Sequence, residues 1–87
     1  MKLKKDFVLR QIAQAWVVLP LAEETVNFTG MLTLNDSGAM LWQKLEQGAD
    51  RQALISALTD EYTVTDQEAA ADVDAFLEKL SQAGCME

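Results

Sequence analysis

Apolar and polar positions alternate from Val26 to Leu34. Val26, Phe28, Leu32 and Leu34 fall on one face of a period-two strand, and Asn27, Thr29, Met31 and Thr33 fall on the other. At Asn35 the period changes to that of a helix with no loop residues between. The Asn35 side chain is placed to accept a backbone N–H as an N-cap, and Leu34 before it to pack against Ala39 as a hydrophobic staple. Leu41, Trp42 and Leu45 then recur at helical spacing until Gly48 supplies a left-handed stop.

The flanking segments obey the same two periods. Phe7 to Ile12 reads as a strand, Ala13 and Gln14 break it, and Ala15 to Leu19 is a second strand rich in β-branched residues and ended by Pro20. These two form a hairpin. Leu21 to Glu24 is a short connection to a third strand, Thr25 to Leu34. Connections this short favour an antiparallel meander. Downstream, Asp50 caps a second helix with Leu54, Ala57, Leu58 and Tyr62 on one face, and Thr63 and Val64 break it. Thr65-Asp66-Gln67-Glu68 then matches a capping box. The third helix runs to about Ala83, with Ala69, Val73, Phe76, Leu77 and Leu80 as its buried stripe and Gly84 ending it. With no internal repeat or linker, residues 1–87 read as a single domain. Its class is α+β and winged helix-turn-helix-like: a three-stranded antiparallel sheet followed by three helices packed on one face of the sheet.

Composition narrows the chemistry. The apolar fraction of 49% is that of a globular protein, and 87 residues allow one core. There is no histidine and only one cysteine, Cys85. That removes the side chain best suited to proton transfer near neutrality and the usual His/Cys metal spacings. A lone cysteine fits a reducing cytoplasm, and with no cation nearby in sequence it reads as a small apolar residue. Met-Lys-Leu-Lys-Lys at the start has the charge of a signal peptide, but Arg10 and Gln11 interrupt the apolar run too early. The longest uncharged apolar stretch, Ala15 to Ala22, is too short to span a bilayer. A soluble protein is expected.

Charge is unevenly placed. Four of the seven basic residues lie within the first ten positions, and eleven of the fourteen acidic residues lie from Asp36 onward. Two helices joined by a short turn, Asp50 to Tyr62 and Asp66 to Ala83, invite a DNA-binding reading. The would-be recognition helix carries Asp66, Glu68, Asp72, Asp74 and Glu78 against Lys79 alone, so it would repel phosphates. Carboxylate pairs such as Asp60 and Glu61 lack any accompanying loop or nucleophile, which leaves them as a solvated helix face. Trp42, beside Leu41 and three residues from Leu45, belongs to the core or its edge. No enzyme and no cofactor are expected.

The third strand is the sharper candidate. If it lies at the sheet edge, its unpaired N–H and C=O groups form a template for another strand. Thr25 to Leu34 contains no Lys, Arg, Asp or Glu, so the charges that usually block an open edge are missing. Either an extended peptide adds there, or the edge is covered by the third helix or a second copy of the chain.

Leu-Asn-Asp-Ser-Gly-Ala-Met-Leu-Trp, at Leu34 to Trp42, resembles the Leu-Asn-x-(Thr/Ser)-(Gly/Ala)-x-x-(Ile/Leu)-Trp core of the pyrroloquinoline quinone synthesis protein D family. Asp6-Phe7-Val8-Leu9-Arg10 is similar to the family's opening strand, and Asp72-Val73-x-x-Phe76-Leu77-x-x-Leu80 to its closing helix. Gln14 departs from it, since many members turn on glycine there. The resemblance implies a non-catalytic peptide-recognition element that binds the leader of a ribosomal precursor peptide and presents it to a modifying enzyme, commonly a radical S-adenosylmethionine protein. It implies a groove formed by Thr29, Met31 and Leu32 on the strand with Asp72, Phe76 and Lys79 on the helix, Phe76 also supporting the core. The alternative is a structural or regulatory module that self-associates through the same edge as a homodimer.

Overall fold

The computed structural model describes residues 2–4, 7–20 and 32–86. Three strands are followed by three helices: β1 (Phe7–Ile12), β2 (Ala15–Pro20), β3 (Leu32–Leu34), α1 (Asp36–Glu46), α2 (Arg51–Glu61) and α3 (Asp66–Gln82). The sheet is an antiparallel meander in the order β1-β2-β3, so β3 lies at an edge. This is the expected α+β arrangement, compatible with a winged helix-turn-helix description. Positions 25–31 of the expected third strand, Thr29 and Met31 among them, lie outside the described residues. Within β3, Leu34 is buried, Leu32 is half-buried and Thr33 is exposed, as the alternation requires.

The hairpin closes with Ile12 opposite Ala15, which leaves Ala13 and Gln14 as a two-residue turn. Ala13 adopts φ 58°, a left-handed conformation that favours glycine and costs an alanine about 1 kcal/mol. β2 runs one residue further than the sequence suggests. Pro20 pairs opposite Phe7 as the last residue of the strand, a position where a missing N–H is tolerated.

Each helix begins and ends on a named device. Asn35 Oδ1 accepts the Gly38 N–H at 2.8 Å, Asp50 Oδ1 accepts the Ala53 N–H at 2.8 Å, and Thr65 with Glu68 completes a capping box. α1 ends in a Schellman motif, with Gly48 at φ 93°, its N–H bonding Leu45 O and the Ala49 N–H bonding Lys44 O. α3 ends the same way, with Gly84 at φ 81°, its N–H bonding Ser81 O and the Cys85 N–H bonding Leu80 O. The helices bury Leu41, Trp42, Leu45, Leu54, Ile55, Leu58, Ala69, Val73, Phe76 and Leu80 with Phe7, Val18 and Leu34 from the sheet. The Trp42 side chain is almost fully buried, yet its indole N–H has no acceptor among the described residues.

Two assignments in α2 differ from the pattern reading. Ile55 is in the core, and Tyr62 is 42% exposed. The helix stops at Glu61, and Tyr62 has extended backbone (φ −128°, ψ 153°), so helical spacing from Leu58 no longer aims its ring inward. Beyond α3 the chain returns to its beginning: Leu3 bridges Met86, and the Lys4 N–H bonds Cys85 O at 2.8 Å.

Cys85 is fully buried, and burial pushes its thiol up from its ordinary 9.0 to about 11. Because the folded value is raised, this contribution to stability is complete below about pH 9 and is lost as pH rises through about 11, on the order of 2 kcal/mol. Chemical denaturation between pH 8 and 11 should show a steeper alkaline loss for the native chain than for Cys85→Ala. Equal slopes would mean the thiol ionises as readily folded as unfolded. Separately, Ala13→Gly should raise the unfolding free energy only slightly, by about 0–0.5 kcal/mol, once the added freedom of the unfolded glycine is subtracted.

Candidate functional site

The stretch where β3 runs directly into α1 forms one wall of a cleft of about 600 Å³, and α3 forms the other. The junction is closed because Asn35 stays extended (φ −79°, ψ 179°) while its side-chain oxygen caps the helix. That oxygen also accepts the Ser37 hydroxyl at 3.0 Å. Gly38 completes this wall, since a Cβ there would sit 3.1 Å from Asn35 Oδ1 and 3.3 Å from Leu34 Cβ. The wall therefore stays low.

The floor is apolar and shared with the core: Leu34, Leu41, Leu58 and Phe76 are all buried and all line the cleft. The rim is exposed and includes Tyr62, Asp72, Ala75 and Lys79. On α3, Asp72, Ala75, Phe76 and Lys79 follow three- and four-residue steps, so one helix face supplies two charges with an aromatic ring between them. Lys79 Nζ donates to the Thr33 carbonyl at 3.2 Å, a contact from α3 to the edge strand.

Two carboxylates near the cleft have assigned work elsewhere. Asp74 makes a bidentate pair with Arg51 at 2.8 and 3.0 Å, joining α3 to α2. That hydrogen bond holds the Asp74 carboxyl below its ordinary range and raises the Arg51 guanidinium. Both side chains are at least half exposed, so water screens most of the attraction. Glu68 is held low by its bond from the Thr65 N–H. Asp72 meets no cation among the described residues.

Of the residues the resemblance implies, Asp72, Phe76 and Lys79 stand together along the cleft. Leu32 does not line it. It lies on the same strand, paired opposite Val18 and packed against the core. Thr29 and Met31 lie outside the described residues. Pattern reading missed Leu34, Ser37, Gly38, Tyr62 and Val64 as lining residues. The capped junction was the available signal for the first three, since a strand that enters a helix without a loop must expose one side of both. Neither tryptophan lines this cleft. Trp16 Nε1 donates to Asp36 at 3.2 Å, and Trp42 borders a second cavity of about 440 Å³ beside Lys2, Lys4 and Phe7. Among the described residues no His, Cys, Asp or Glu group is arranged to hold a metal ion, and no helix is long and apolar enough to cross a membrane.

The sequence profile described as coenzyme PQQ synthesis protein D (PqqD) matches residues 15–86. Comparison with curated proteins finds no match. Two solved structures are similar over nearly their whole length. TbiB1 in complex with the TbiA(beta) leader peptide is 25% identical with a TM-score of 0.82, covering 100% of this chain and 95% of that one. Lasso peptide synthetase B1 complexed with the leader peptide is 24% identical with a TM-score of 0.80, covering 99% of this chain and 95% of that one.

Because floor and core coincide at Phe76, Phe76→Ala should lower the unfolding free energy by about 3–5 kcal/mol. Tyr62→Ala, on the exposed rim, should cost about 1 kcal/mol or less. Urea unfolding measures both, and equal losses would place Tyr62 in the core.

Proposed function

We infer that this chain, which belongs to the coenzyme PQQ synthesis protein D family, is a non-catalytic adaptor that binds the leader of a ribosomally made precursor peptide. The observation that carries this reading is the cleft between an edge strand and α3, with an apolar floor and charges on its rim. An extended peptide gains backbone hydrogen bonds from an open strand edge whatever its sequence, and side-chain pockets beside the edge then select among sequences. The leader peptides bound by the two similar structures support the same reading.

The peptide-binding residues are Thr29, Met31 and Leu32, the last on β3, and Asp72, Phe76 and Lys79 on α3. Leu32 acts through the strand backbone, and Phe76 through the floor. The partner that receives the peptide is a modifying enzyme of the radical S-adenosylmethionine class, and the adaptor works in the cytoplasm, where precursor peptides are made. The adaptor itself uses no cofactor. A second reading, self-pairing of β3 into a homodimer, draws on the same edge position. Sedimentation over a range of concentrations separates the two, because self-pairing doubles the mass without any peptide.

Titration with the candidate precursor peptide encoded nearest the gene, followed by amide NMR, should move signals from Val26 to Thr33 and from Asp72 to Leu80. No shift at high micromolar peptide, or shifts confined to the first turns of α2, would overturn the adaptor reading. Met31→Lys should weaken binding and leave the unfolding transition unchanged.

A further inference from the structure

We propose that Lys79 selects for an acidic side chain in the bound peptide, because strand addition at β3 displaces the Lys79 ammonium from the carbonyl it occupies. The inference rests on the adaptor reading above and deepens it at a single position.

β3 pairs with β2 on one side, Thr33 lying opposite Val17, and its other side faces α3. A strand added to that open side donates backbone N–H groups to the outward carbonyls. The Thr33 carbonyl already accepts from Lys79 Nζ at 3.2 Å, so an incoming N–H must share that oxygen or take the place of the ammonium. The contact joins residues 46 positions apart, one on β3 and one on α3. It works as a place-holder: it satisfies an edge carbonyl while the cleft is empty and competes with any incoming backbone.

Displacement leaves the ammonium on the rim with no replacement partner among the described residues. Asp72 is seven residues away on the same helix face, about 10.5 Å along the axis, which is beyond ion-pair reach. Glu78 is adjacent in sequence and so does not face Lys79, and its carboxylate accepts Gln82 Nε2 at 3.0 Å. Among the described residues Lys79 forms no ion pair. A peptide lying over the rim also withdraws water from the ammonium, which raises the cost of leaving it unpaired. A carboxylate on the peptide at that point restores the lost acceptor and adds opposite charge. A neutral side chain there leaves the ammonium worse placed than in the empty cleft. Asp72 gives the other end of the rim the opposite preference, so the two ends differ in sign.

The test is a selection of randomised twelve-residue peptides on the native protein and on Lys79→Met, followed by titration of one selected peptide and its Glu→Gln version against both proteins. Lys79→Met keeps the alkyl stem and removes the charge, and circular dichroism confirms its fold. The expected result is enrichment of Asp or Glu at one position on the native protein that is absent on Lys79→Met. In the titrations the native protein should prefer the Glu peptide about three- to fivefold, the range of an exposed ion pair. Lys79→Met should bind the Gln version at least as well as the native protein does, since the place-holder is gone. The proposal is overturned if both proteins select peptides without acidic enrichment, or if the Glu preference survives in Lys79→Met. It also fails if no peptide is selected on either protein, and in that case the adaptor reading fails with it.

Discussion

The fold turns on the passage from β3 into α1 at Leu34 and Asn35. Leu34 is 4% exposed and is the last ladder residue of the strand, paired opposite Trp16. Asn35 keeps the extended backbone and already caps the helix, so the direction of the strand sets the axis of α1 without an adjustable loop. Gly38 makes this possible, because any larger residue would crowd both the capping oxygen and Leu34. Once that angle is set, Leu41, Trp42 and Leu45 point into the core, and the far side of the same junction becomes the cleft wall. Core and site are two faces of one constraint.

The opposite wall is held with comparable firmness. α3 starts in a capping box at Thr65 and Glu68 and ends in a Schellman motif whose Cys85 and Leu80 are both fully buried. The return of the chain at Lys4 and Leu3 fixes that end again. With both termini of a 17-residue helix pinned, the face carrying Asp72, Phe76 and Lys79 cannot rotate away from β3. A cleft set in this way loses little freedom when it is filled, and preorganisation of this kind favours binding.

Much of this was legible because the chain uses local devices that act within four or five residues. The caps at Asn35, Asp50 and Thr65 and the stops at Gly48 and Gly84 stand where their side chains or φ angles demand. The strand period read Phe7–Ile12 correctly for the same reason. What escaped depends on tertiary geometry. Tyr62 was placed inward because its spacing from Leu58 implies a helix one residue longer than α2 is, and Ile55 was left off the buried face. The dual role of Leu34, Leu41 and Leu58 was invisible, since a core leucine and a cleft leucine have the same local pattern. The contact from Lys79 to Thr33 spans 46 positions and obeys no periodicity. Asp72, Phe76 and Lys79 came from the family resemblance, and the period of α3 explains only why they share a face.

This division of labour limits where recognition can be tuned. The floor residues are buried, and replacing any of them by a smaller or polar one removes core packing at a cost of several kcal/mol, a large share of what a domain of this size holds. The edge of β3 offers backbone groups, which do not distinguish one peptide from another. On the proposed reading, sequence preference falls to the exposed rim, where Tyr62, Asp72, Ala75 and Lys79 can change without disturbing the fold. Among these, Lys79 donates to the strand edge, at the Thr33 carbonyl. On the proposed role of Lys79, a change of charge there reaches the backbone hydrogen bonding that strand addition requires, which couples preference to affinity at that position.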